Sequence, residues 1–312
     1  MNYRGYDVWE IPPNSHGLVA LMALNILKGF DFSERDNVLT HHRQIEAIKL
    51  AFADGLAYIA DPAHMRVSVA DLLSSAYADE RRALIGQKAI SSTPGEPPRG
   101  GTVYLSTADG EGNMVSFIQS NYMGFGSGMV VPGTGIALHN RGHNFSLQAG
   151  HPNCLAPCKR PYHTIISGFM TKDGHAVGPF GVIGGFMQPP GHVQIVMNTV
   201  DFGLNRQAAL DAPRWEWEIA KRVNIERATP EHIFHALARL GHYVAWSNNR
   251  LAVGRGKIIW RNAQGVLCGM VMALGAGSGD GEAGTGSQPS FVPVKTCVPC
   301  FLNTPSSITQ PI

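Results

Sequence analysis

Charged residues, cysteine and long apolar runs are all scarce in this sequence, and each scarcity excludes a class of protein. The 312 residues include 25 basic and 23 acidic side chains, which leaves a net charge of +2. The basic residues form no long run, so the sequence indicates neither a nucleic-acid-binding nor a membrane-surface protein. No segment is long and apolar enough to span a bilayer. The composition favours a globular chain that acts on a small molecule or a peptide.

The five cysteines are an odd number in a long chain, which argues against a disulfide framework. Cys297 and Cys300 are spaced as a metal-ligand pair, but a zinc site needs four ligands and no second such pair lies near them. We therefore expect neither a metal nor another cofactor. The polar start at residues 1–6 has no apolar run directly after it and is not typical of a signal peptide, so we expect a cytoplasmic protein.

Hydrophobic residues, by contrast, make up 44% of the chain, enough for a sizeable core, and their pattern changes along it. Residues 15–86 have mainly helical periodicity, with helices predicted over 16–27, 38–60 and 76–84. Residues 87–101 are predicted to be a linker, and residues 102–274 alternate strands with helices. The glycine-rich tail at 275–312 is expected to be poorly ordered. His41, His42 and His64 are predicted to lie on the surface or at helix ends.

Thr102 follows directly after the linker, at the head of a predicted strand. Runs of β-forming residues at 102–108 and 113–119 flank a glycine-rich turn at 109–112, which predicts a hairpin. If the chain is cut before Thr102, its new α-amino group, with a pKa of about 7.7 to 8, is a base within reach of the hydroxyl. Gly101 offers an unhindered carbonyl to that hydroxyl. From these residues alone, an ordinary interdomain loop followed by an ordinary strand remains the alternative.

Gly184 and Gly185 end the second strand of a pair predicted over 164–170 and 176–183, before an apolar helix predicted over 192–200. Two adjacent glycines let the backbone approach a ligand and direct successive N–H groups at one point, as in an oxyanion hole. An ordinary strand-to-helix turn fits the same residues equally well.

Ten short motifs occur in one particular order along the chain. They are Tyr6-Asp7-Val8-Trp9-Glu10-Ile11-Pro12-Pro13, residues 23–32, Gly101-Thr102, Gly112-Asn113, Phe125-Gly126-Ser127-Gly128, Val131-Pro132-Gly133-Thr134-Gly135-Ile136, Lys159-Arg160-Pro161, Gly184-Gly185, Asp201-Phe202-Gly203-Leu204-Asn205 and Asp211-Ala212-Pro213-Arg214. In this order they resemble the γ-glutamyltransferase (glutathione hydrolase) family of the N-terminal-nucleophile hydrolase superfamily. The resemblance covers most of residues 1 to about 245.

The resemblance implies an α+β fold, a four-layer αββα sandwich, and a zymogen that cuts itself between Gly101 and Thr102. Residues 1–101 would then be the C-terminal part of a large subunit, and residues 102–274 the small subunit. Thr102 would be the nucleophile and Ser120 a second hydroxyl beside it, with Gly184 and Gly185 as the oxyanion donors. The implied activity, part of glutathione metabolism, is hydrolysis or transfer of γ-glutamyl amides through an acyl-threonine.

Departures from the family pattern cluster where the family binds the glutamyl group. Asn144 stands in place of an aspartate that binds the substrate α-amino group, and Arg141 adds a positive charge beside it. His163 and Thr164 replace a serine pair that binds the α-carboxylate, and Tyr122 stands in place of an asparagine. An α-ammonium fits worse beside Arg141, whereas a glutaryl group with a plain terminal carboxylate fits better, as in the related cephalosporin acylases.

The resemblance also starts in the middle of the family's large subunit, so we expect a sandwich that is incomplete in its N-terminal part. A homodimer or a partner chain that supplies this part is one expectation. The other is a catalytically inactive fragment that acts as a structural or interaction protein, with sheet edges and core face left uncovered.

Overall fold

The structure, a computed structural model, describes residues 1–91, 101–247, 253–262 and 264–272. Most of the predicted linker and the tail at 275–312, with Cys297 and Cys300, lie outside these ranges. The fold is α+β, as expected. The strands are β1 (Asn2–Tyr3), β2 (Tyr6–Trp9), β3 (Gly101–Ala108), β4 (Met114–Tyr122), β5 (Gly168–Lys172), β6 (His175–Val182), β7 (Trp215–Ile219), β8 (Arg222–Glu226), β9 (Tyr243–Ser247), β10 (Gly256–Arg261) and β11 (Leu267–Val271). The helices are α1 (Gly17–Leu27), α2 (Val38–Tyr58), α3 (Val69–Leu72), α4 (Ser75–Ala83), α5 (Gln188–Val200), α6 (Arg206–Asp211) and α7 (Glu231–Arg239).

The three predicted N-terminal helices are confirmed as α1, α2 and α4. Helix α1 is apolar on almost every side and is buried accordingly, which makes it the centre of the core. Side-chain oxygens cap the other two helices: Asn37 accepts from the backbone N–H of Leu39, and Ser74 accepts from that of Tyr77. Each cap satisfies a backbone donor that the first helical turn leaves without a partner.

Six strands form the largest sheet, in the order β1-β2-β5-β6-β10-β11, and every neighbouring pair is antiparallel. Strand β5 begins at Gly168, four residues later than predicted. Upstream of it, His163 donates its backbone N–H to the Asn14 carbonyl, and Ile166 donates to the Gln188 side chain. Because these donors are satisfied outside the ladder, the chain joins the sheet only at Gly168.

Helix α5 begins at Gln188, four residues earlier than predicted. The two prolines, Pro189 and Pro190, lie in its first turn, where the missing N–H groups have no intrahelical partner in any case. The helix therefore begins before the two prolines and includes them in its first turn, whereas the prediction started it after them.

The predicted hairpin is confirmed as β3 and β4, which pair along their whole length with Thr102 opposite Ser120. The side chain of Asp109 holds the turn by accepting from the backbone N–H groups of Glu111 and Asn113. Thr102 and Tyr104 lie on the buried face of the hairpin, two residues apart as the strand period requires. A separate three-stranded sheet joins β7 and β8 antiparallel, and β8 and β9 parallel.

His41 and His42 lie near the start of α2, as the helix-end alternative predicted, but the surface alternative is wrong because both rings are buried. His42 Nδ1 lies 2.8 Å from His242 Nε2, and His42 Nε2 lies 2.9 Å from the Gly86 carbonyl. The carbonyl can only accept, so the His42 Nε2–H donates to it and Nδ1 accepts from His242. The two imidazoles therefore form a directed chain of hydrogen bonds between residues 200 positions apart.

A buried ion pair completes this cluster, which we call the α2 network: His42, Glu46, Lys49 and His242. Lys49 Nζ donates to Glu46 Oε1 at 2.7 Å and lies 3.3 Å from His242 Nδ1. The ligand atoms of His42, Glu46 and His242 lie within 4.8 Å of one another, as in a metal site. Lys49 already donates to the glutamate and the imidazole, so the geometry fits a hydrogen-bond network better than a cation site.

The α2 network also fixes the first residues of the predicted linker. Glu46 Oε2 accepts from the backbone N–H of Ile90, and Lys49 Nζ donates to the Ile90 carbonyl. Ala89 donates its backbone N–H to the Leu240 carbonyl, next to His242 in the chain. Residues on both sides of the linker are thus held together by buried bonds.

A fall in pH from about 6 to 4 is expected to destabilise the fold. The cause is the buried histidines, because most carboxylates are still ionised in this range. Burial lowers the pKa of His41 to about 4, of His163 to about 3 and of His242 to about 2, and it also lowers that of His16. Below the unfolded-state pKa of about 6.5 the unfolded chain therefore binds protons that the folded chain does not. Stability should fall by up to about 1.4 kcal/mol per pH unit for each such histidine between about pH 6 and pH 4.

Urea unfolding at pH 8, 6 and 5 checks this expectation. The midpoint should move to lower urea as the pH falls, and a His41→Gln variant should show a shallower dependence. Equal midpoints at pH 8 and pH 5 would contradict it.

Within the described residues, no helix combines the length and the apolar character needed to cross a membrane.

Candidate active site

The structure places the two predicted hydroxyls side by side at the start of the hairpin. Thr102 is 8% exposed, and its Oγ1 donates to Ser120 Oγ at 3.2 Å. Ser120 Oγ also accepts from the backbone N–H of Tyr122 at 2.9 Å. The threonine hydroxyl therefore has a fixed direction before any substrate binds.

The ladder register shifts between Gly101 and Thr102, at the predicted scissile bond. Gly101 lies opposite Tyr122, whereas Thr102 lies opposite Ser120. Such bulges redirect side chains and interrupt regular pairing, and they are frequent next to active sites. Gly101 and Thr102 are both described, whereas residues 92–100 before them lie outside the described residues.

Tyr122 ends β4 in an unusual backbone conformation and is fully buried. Its φ of +76° lies in the left-handed region, which bulky residues rarely adopt. Its hydroxyl donates to Asn144 Oδ1 at 2.8 Å, and burial raises the pKa of this phenol to about 12. Tyr122 remains a neutral donor at physiological pH, and its strained backbone directs the N–H at Ser120.

Arg141 is a buried cation beside these residues, only 1% exposed. Its Nη1 donates to the Ser120 carbonyl at 2.9 Å, and its Cζ lies 5.3 Å from the centre of the Tyr122 ring. Among the described residues no carboxylate pairs with it, and its Nε and Nη2 atoms are buried without a hydrogen-bond partner. Burial lowers its pKa to about 10, so it stays charged at neutral pH. A buried, charged guanidinium with two unpartnered nitrogen atoms favours the binding of an anion.

Asn144 holds Tyr122 in place and connects it to the segment before β5. Its Nδ2 donates to the Tyr162 carbonyl at 3.0 Å. Asn153 makes two further bonds here, from its Nδ2 to the Asn144 carbonyl and from the Tyr162 backbone N–H to its Oδ1. Asn153 is absent from the predicted site residues, because no motif in the sequence singles it out.

His163 and His139 pack edge to face, with ring centres 5.8 Å apart. His139, which is also absent from the predicted site residues, accepts the backbone N–H of Arg141 on its Nδ1. Burial, together with the nearby Arg141 charge, lowers the pKa of His163 to about 3, so this imidazole is neutral and adds no positive charge. Thr164 is buried next to it. The position of His139 two residues before Arg141 is the one feature of the sequence that could have indicated it.

Gly184 and Gly185 lie in the turn between β6 and α5, with φ values of +128° and +61°. The first value is in a region that only glycine adopts readily, and a Cβ there would come within 3.1 Å of the Met187 Cβ. Within the described parts of the chain, neither backbone N–H donates a hydrogen bond to another residue. The next residue, Phe186, stacks on the Tyr162 ring with 6.1 Å between ring centres, which places the turn beside the same cluster.

The β3–β4 hairpin and the turn at Gly184 and Gly185 are also linked through Tyr104. Its ring lies against Gly181 near the end of β6, so closely that a Cβ on this glycine would be 2.5 Å from the ring. Because Thr102 and Tyr104 share a face of β3, the threonine faces the same layer as the glycine turn. An α+β chain with a threonine so placed at a strand start has the arrangement of an N-terminal-nucleophile hydrolase.

Comparison with known proteins assigns the family. The profile described as "Gamma-glutamyltranspeptidase" matches residues 1–281. The chain is 37% identical over 250 residues to the Glutathione hydrolase-like YwrD proenzyme of Bacillus subtilis, covering 78% of this chain and 47% of that protein. It is also 37% identical over 279 residues to the Acylase ACY 1 proenzyme of Pseudomonas sp. strain V22, covering 86% and 49%.

A solved structure agrees with this assignment. The crystal structure of cephalosporin acylase from Bacillus halodurans matches with a TM-score of 0.82 and 62% identity, over 87% of this chain and 50% of that one. The chain belongs to the gamma-glutamyltranspeptidase family. It spans about half the length of the curated relatives that it matches.

Proposed function

We propose that this chain forms part of a self-cleaving amidohydrolase and acyltransferase in which Thr102 is the nucleophile. The observation that carries the proposal is the bond from the Thr102 hydroxyl to Ser120, at the start of a strand and at a ladder bulge. Two of the relatives are named as proenzymes, which supports a precursor that is cut.

In the proposed processing step, the Thr102 hydroxyl attacks the Gly101 carbonyl carbon. The peptide C–N bond breaks as an ester forms on Oγ1, and the threonine nitrogen takes up the hydroxyl proton. Water then hydrolyses the ester, which leaves a carboxylate on Gly101 and a free α-amino group on Thr102. Ser120 orients the hydroxyl for this attack.

In the proposed catalytic cycle, the same hydroxyl attacks a substrate amide while the Thr102 α-amino group takes its proton. Gly184 and Gly185 stabilise the tetrahedral oxyanion with their N–H groups. The proton passes to the leaving amine, an acyl-threonine remains, and water or an acceptor amine releases the acyl group.

The substrate class follows from Arg141. A buried cation without a carboxylate partner in the described residues favours a terminal carboxylate on the acyl group, and the neutral Asn144 provides no charge for an α-ammonium. We therefore propose glutaryl-type amides ahead of γ-glutamyl amides, with Tyr122, Asn144, His163 and Thr164 lining the site. The names of the relatives, which include both acylases and glutathione hydrolases, are compatible with either acyl group.

The proposed architecture is an αββα sandwich in four layers, made from two subunits of one precursor. Residues 1–101 would be one piece and residues 102–274 the small subunit. The pairing of β2 with β5 supports this, because it joins both pieces in one sheet.

Two measurements test the proposal. Intact-mass analysis of the purified protein should show two pieces, the second beginning at Thr102, and an uncut chain would contradict self-cleavage. Hydrolysis rates on glutaryl and γ-glutamyl anilides should favour the glutaryl substrate, whereas a clear γ-glutamyl preference would overturn the argument from Arg141.

An inactive fragment with a structural or interaction role is the alternative. The observation that favours it is an exposed apolar sheet face on the hairpin that carries Thr102. A protein that remains uncut and inactive although it is folded would support this alternative.

Replacing Arg141 by glutamine should reduce the glutaryl anilide rate by about 10- to 100-fold, since a charge-assisted bond to a carboxylate contributes about 1.5–3 kcal/mol. The γ-glutamyl rate should change less, so the ratio of the two kcat/KM values is the measurement. An Arg239→Gln variant, which changes an exposed arginine on α7, serves as the control. An equal loss on both substrates would assign Arg141 a purely structural role.

A further inference from the structure

A cavity of about 510 Å³ lies beside the C-terminal end of α5, and we call it the α5 cavity. One wall is the six-stranded sheet, and the other is the end of α5 with the segment that leads into α6. The glycine turn lies at the opposite end of α5, roughly 20 Å away along a helix of 13 residues. None of the predicted site residues lines the α5 cavity, and its volume suits a small molecule. Its lining includes Tyr6, Met170, Lys172, Leu204, Arg206 and Trp260.

The inner part of the α5 cavity is apolar and aromatic. Met170 is fully buried and Trp260 is 5% exposed, so both lie at its base on the sheet. Val200 and Leu204 line the helical wall, and Tyr6 adds a second ring from β2. A lining of this kind holds the hydrocarbon part of a ligand, and it suits a flat ring in particular.

Two cations line the same cavity, and neither forms an ion pair with a carboxylate in the described part of the chain. Arg206 is half-buried, and its Nη2 makes only a long bond of 3.4 Å to the Arg261 carbonyl. Its Nε is buried without a hydrogen-bond partner. Lys172 is exposed at the end of β5, two residues from Met170 and therefore on the same face of the strand.

Aromatic rings are the recorded neighbours of both cations. Arg206 Cζ lies 6.0 Å from the centre of the Trp260 ring, and Lys172 Nζ lies 4.7 Å from that of the Tyr6 ring. No acidic side chain of the described residues lines the cavity. The two positive charges are therefore balanced by rings alone, which leaves a site with a preference for negative charge.

The two asparagine side chains of the lining offer donors as well. Asn205 Oδ1 already accepts the backbone N–H of Ala208. Asn262 Oδ1 accepts those of Gln264 and Val266. The acceptor of each amide is thus occupied, and its Nδ2 group has no acceptor among the described residues. Charged and uncharged polar groups therefore agree: a ligand of this cavity has to supply acceptors.

We propose that the α5 cavity binds a small organic anion, a carboxylate carried on an apolar ring. The carboxylate accepts from Arg206 and Lys172 in the outer part, and the ring lies against Trp260 and Met170 in the inner part. This inference goes beyond the proposed function, because it concerns a second site and holds whether or not Thr102 reacts.

Titration of the full chain with phenylacetate tests the proposal, with ¹³C-labelled methionine methyl groups as reporters. The Met170 signal, assigned with a Met170→Leu variant, should shift saturably with a Kd of about 1 mM or tighter. The Met187 signal, beside the glycine turn, reports separately on any binding at the candidate active site. 2-Phenylethanol, which has no charge, and acetate, which has no ring, should each bind to the α5 cavity at least tenfold more weakly.

Charge variants locate the carboxylate. Arg206→Gln should weaken phenylacetate binding at least tenfold, and Arg206→Lys should restore part of the loss. Lys172→Gln should weaken it about threefold, because this lysine is exposed. Its exposed position also keeps the test valid if Arg206→Gln does not fold. Arg239→Gln on α7 and Arg141→Gln in the candidate active site are the controls, and both should shift the Met170 signal as the wild type does.

Three results would overturn the proposal. One is a Met170 signal that phenylacetate does not shift saturably. Another is equal binding of 2-phenylethanol or of acetate, which would make the cavity a purely apolar site or a site for any anion. The third is an affinity that the Arg206 and Lys172 variants leave unchanged, which would place the ligand elsewhere. None of these readouts uses catalysis, so the Thr102 hypothesis stands or falls separately.

Discussion

A Thr102→Ala chain is expected to remain a single polypeptide and to hydrolyse neither glutaryl nor γ-glutamyl anilide. Without the hydroxyl, no group at the start of β3 attacks the Gly101 carbonyl, and no free α-amino group appears at position 102. Loss of a covalent nucleophile removes the acyl-enzyme route altogether, so kcat should fall by several orders of magnitude, to the residual rate that substrate binding and the oxyanion donors provide. Intact-mass analysis and the anilide assay measure the two losses separately.

Two companion variants make this result specific. Thr102→Ser keeps a hydroxyl and should still be cut, although more slowly, because serine lacks the methyl group that restricts the threonine rotamer. Thr107→Ala changes an exposed threonine on the same strand and should behave as the wild type. Cleavage of the Thr102→Ala chain at the same bond would show that another group or a contaminating protease makes the cut.

Glu46→Ala should cause the largest loss of stability, about 3–5 kcal/mol in the free energy of unfolding, because it leaves Lys49 as a buried cation without its partner. The same change removes the acceptor of the Ile90 N–H. Urea unfolding gives the free energy, and amide exchange at Ile90 reports the local release. Glu80→Ala, an exposed glutamate on α4, is the matched control and should change little.

The double variant Glu46→Leu, Lys49→Met separates the ion pair from simple packing. It removes both charges together, so its cost should be well below that of Glu46→Ala alone. If the single and double variants lose the same stability, the pair contributes only by filling space.

The sequence was sufficient to predict those helices and strands that are specified by a pattern of neighbouring residues. Helical periodicity located α1 and α2, and the Asp109–Gly112 turn located the hairpin with Thr102 at its head. The start of β5 was misplaced, because the alternative partners of its upstream backbone, Asn14 and Gln188, are distant in sequence. His42 was misjudged for the same reason: its polarity is satisfied by His242, 200 residues away.

The sequence predicted which residues belong to the candidate site better than it predicted what each residue does there. Family motifs gave Thr102, Ser120 and the glycine turn, and departures from those motifs gave Arg141. That Arg141 is buried, and that it holds the Ser120 carbonyl, depends on a tertiary contact that no pattern in one sequence displays. Asn153 and His139 act through bonds to neighbouring residues and carry no motif.

The pairing of β2 with β5 has a consequence for the life of the proposed cut protein. Once the linker is broken, two strands of the first piece, β1 and β2, still form one edge of a sheet whose other four strands belong to the second piece. Unfolding then releases two separate molecules, so refolding becomes a second-order reaction whose yield depends on protein concentration. The uncut precursor should refold at any dilution, whereas the mature form should lose that ability as it is diluted. Maturation would therefore make unfolding irreversible at high dilution. The native fold could be recovered from the unfolded precursor, but not from the two separated pieces.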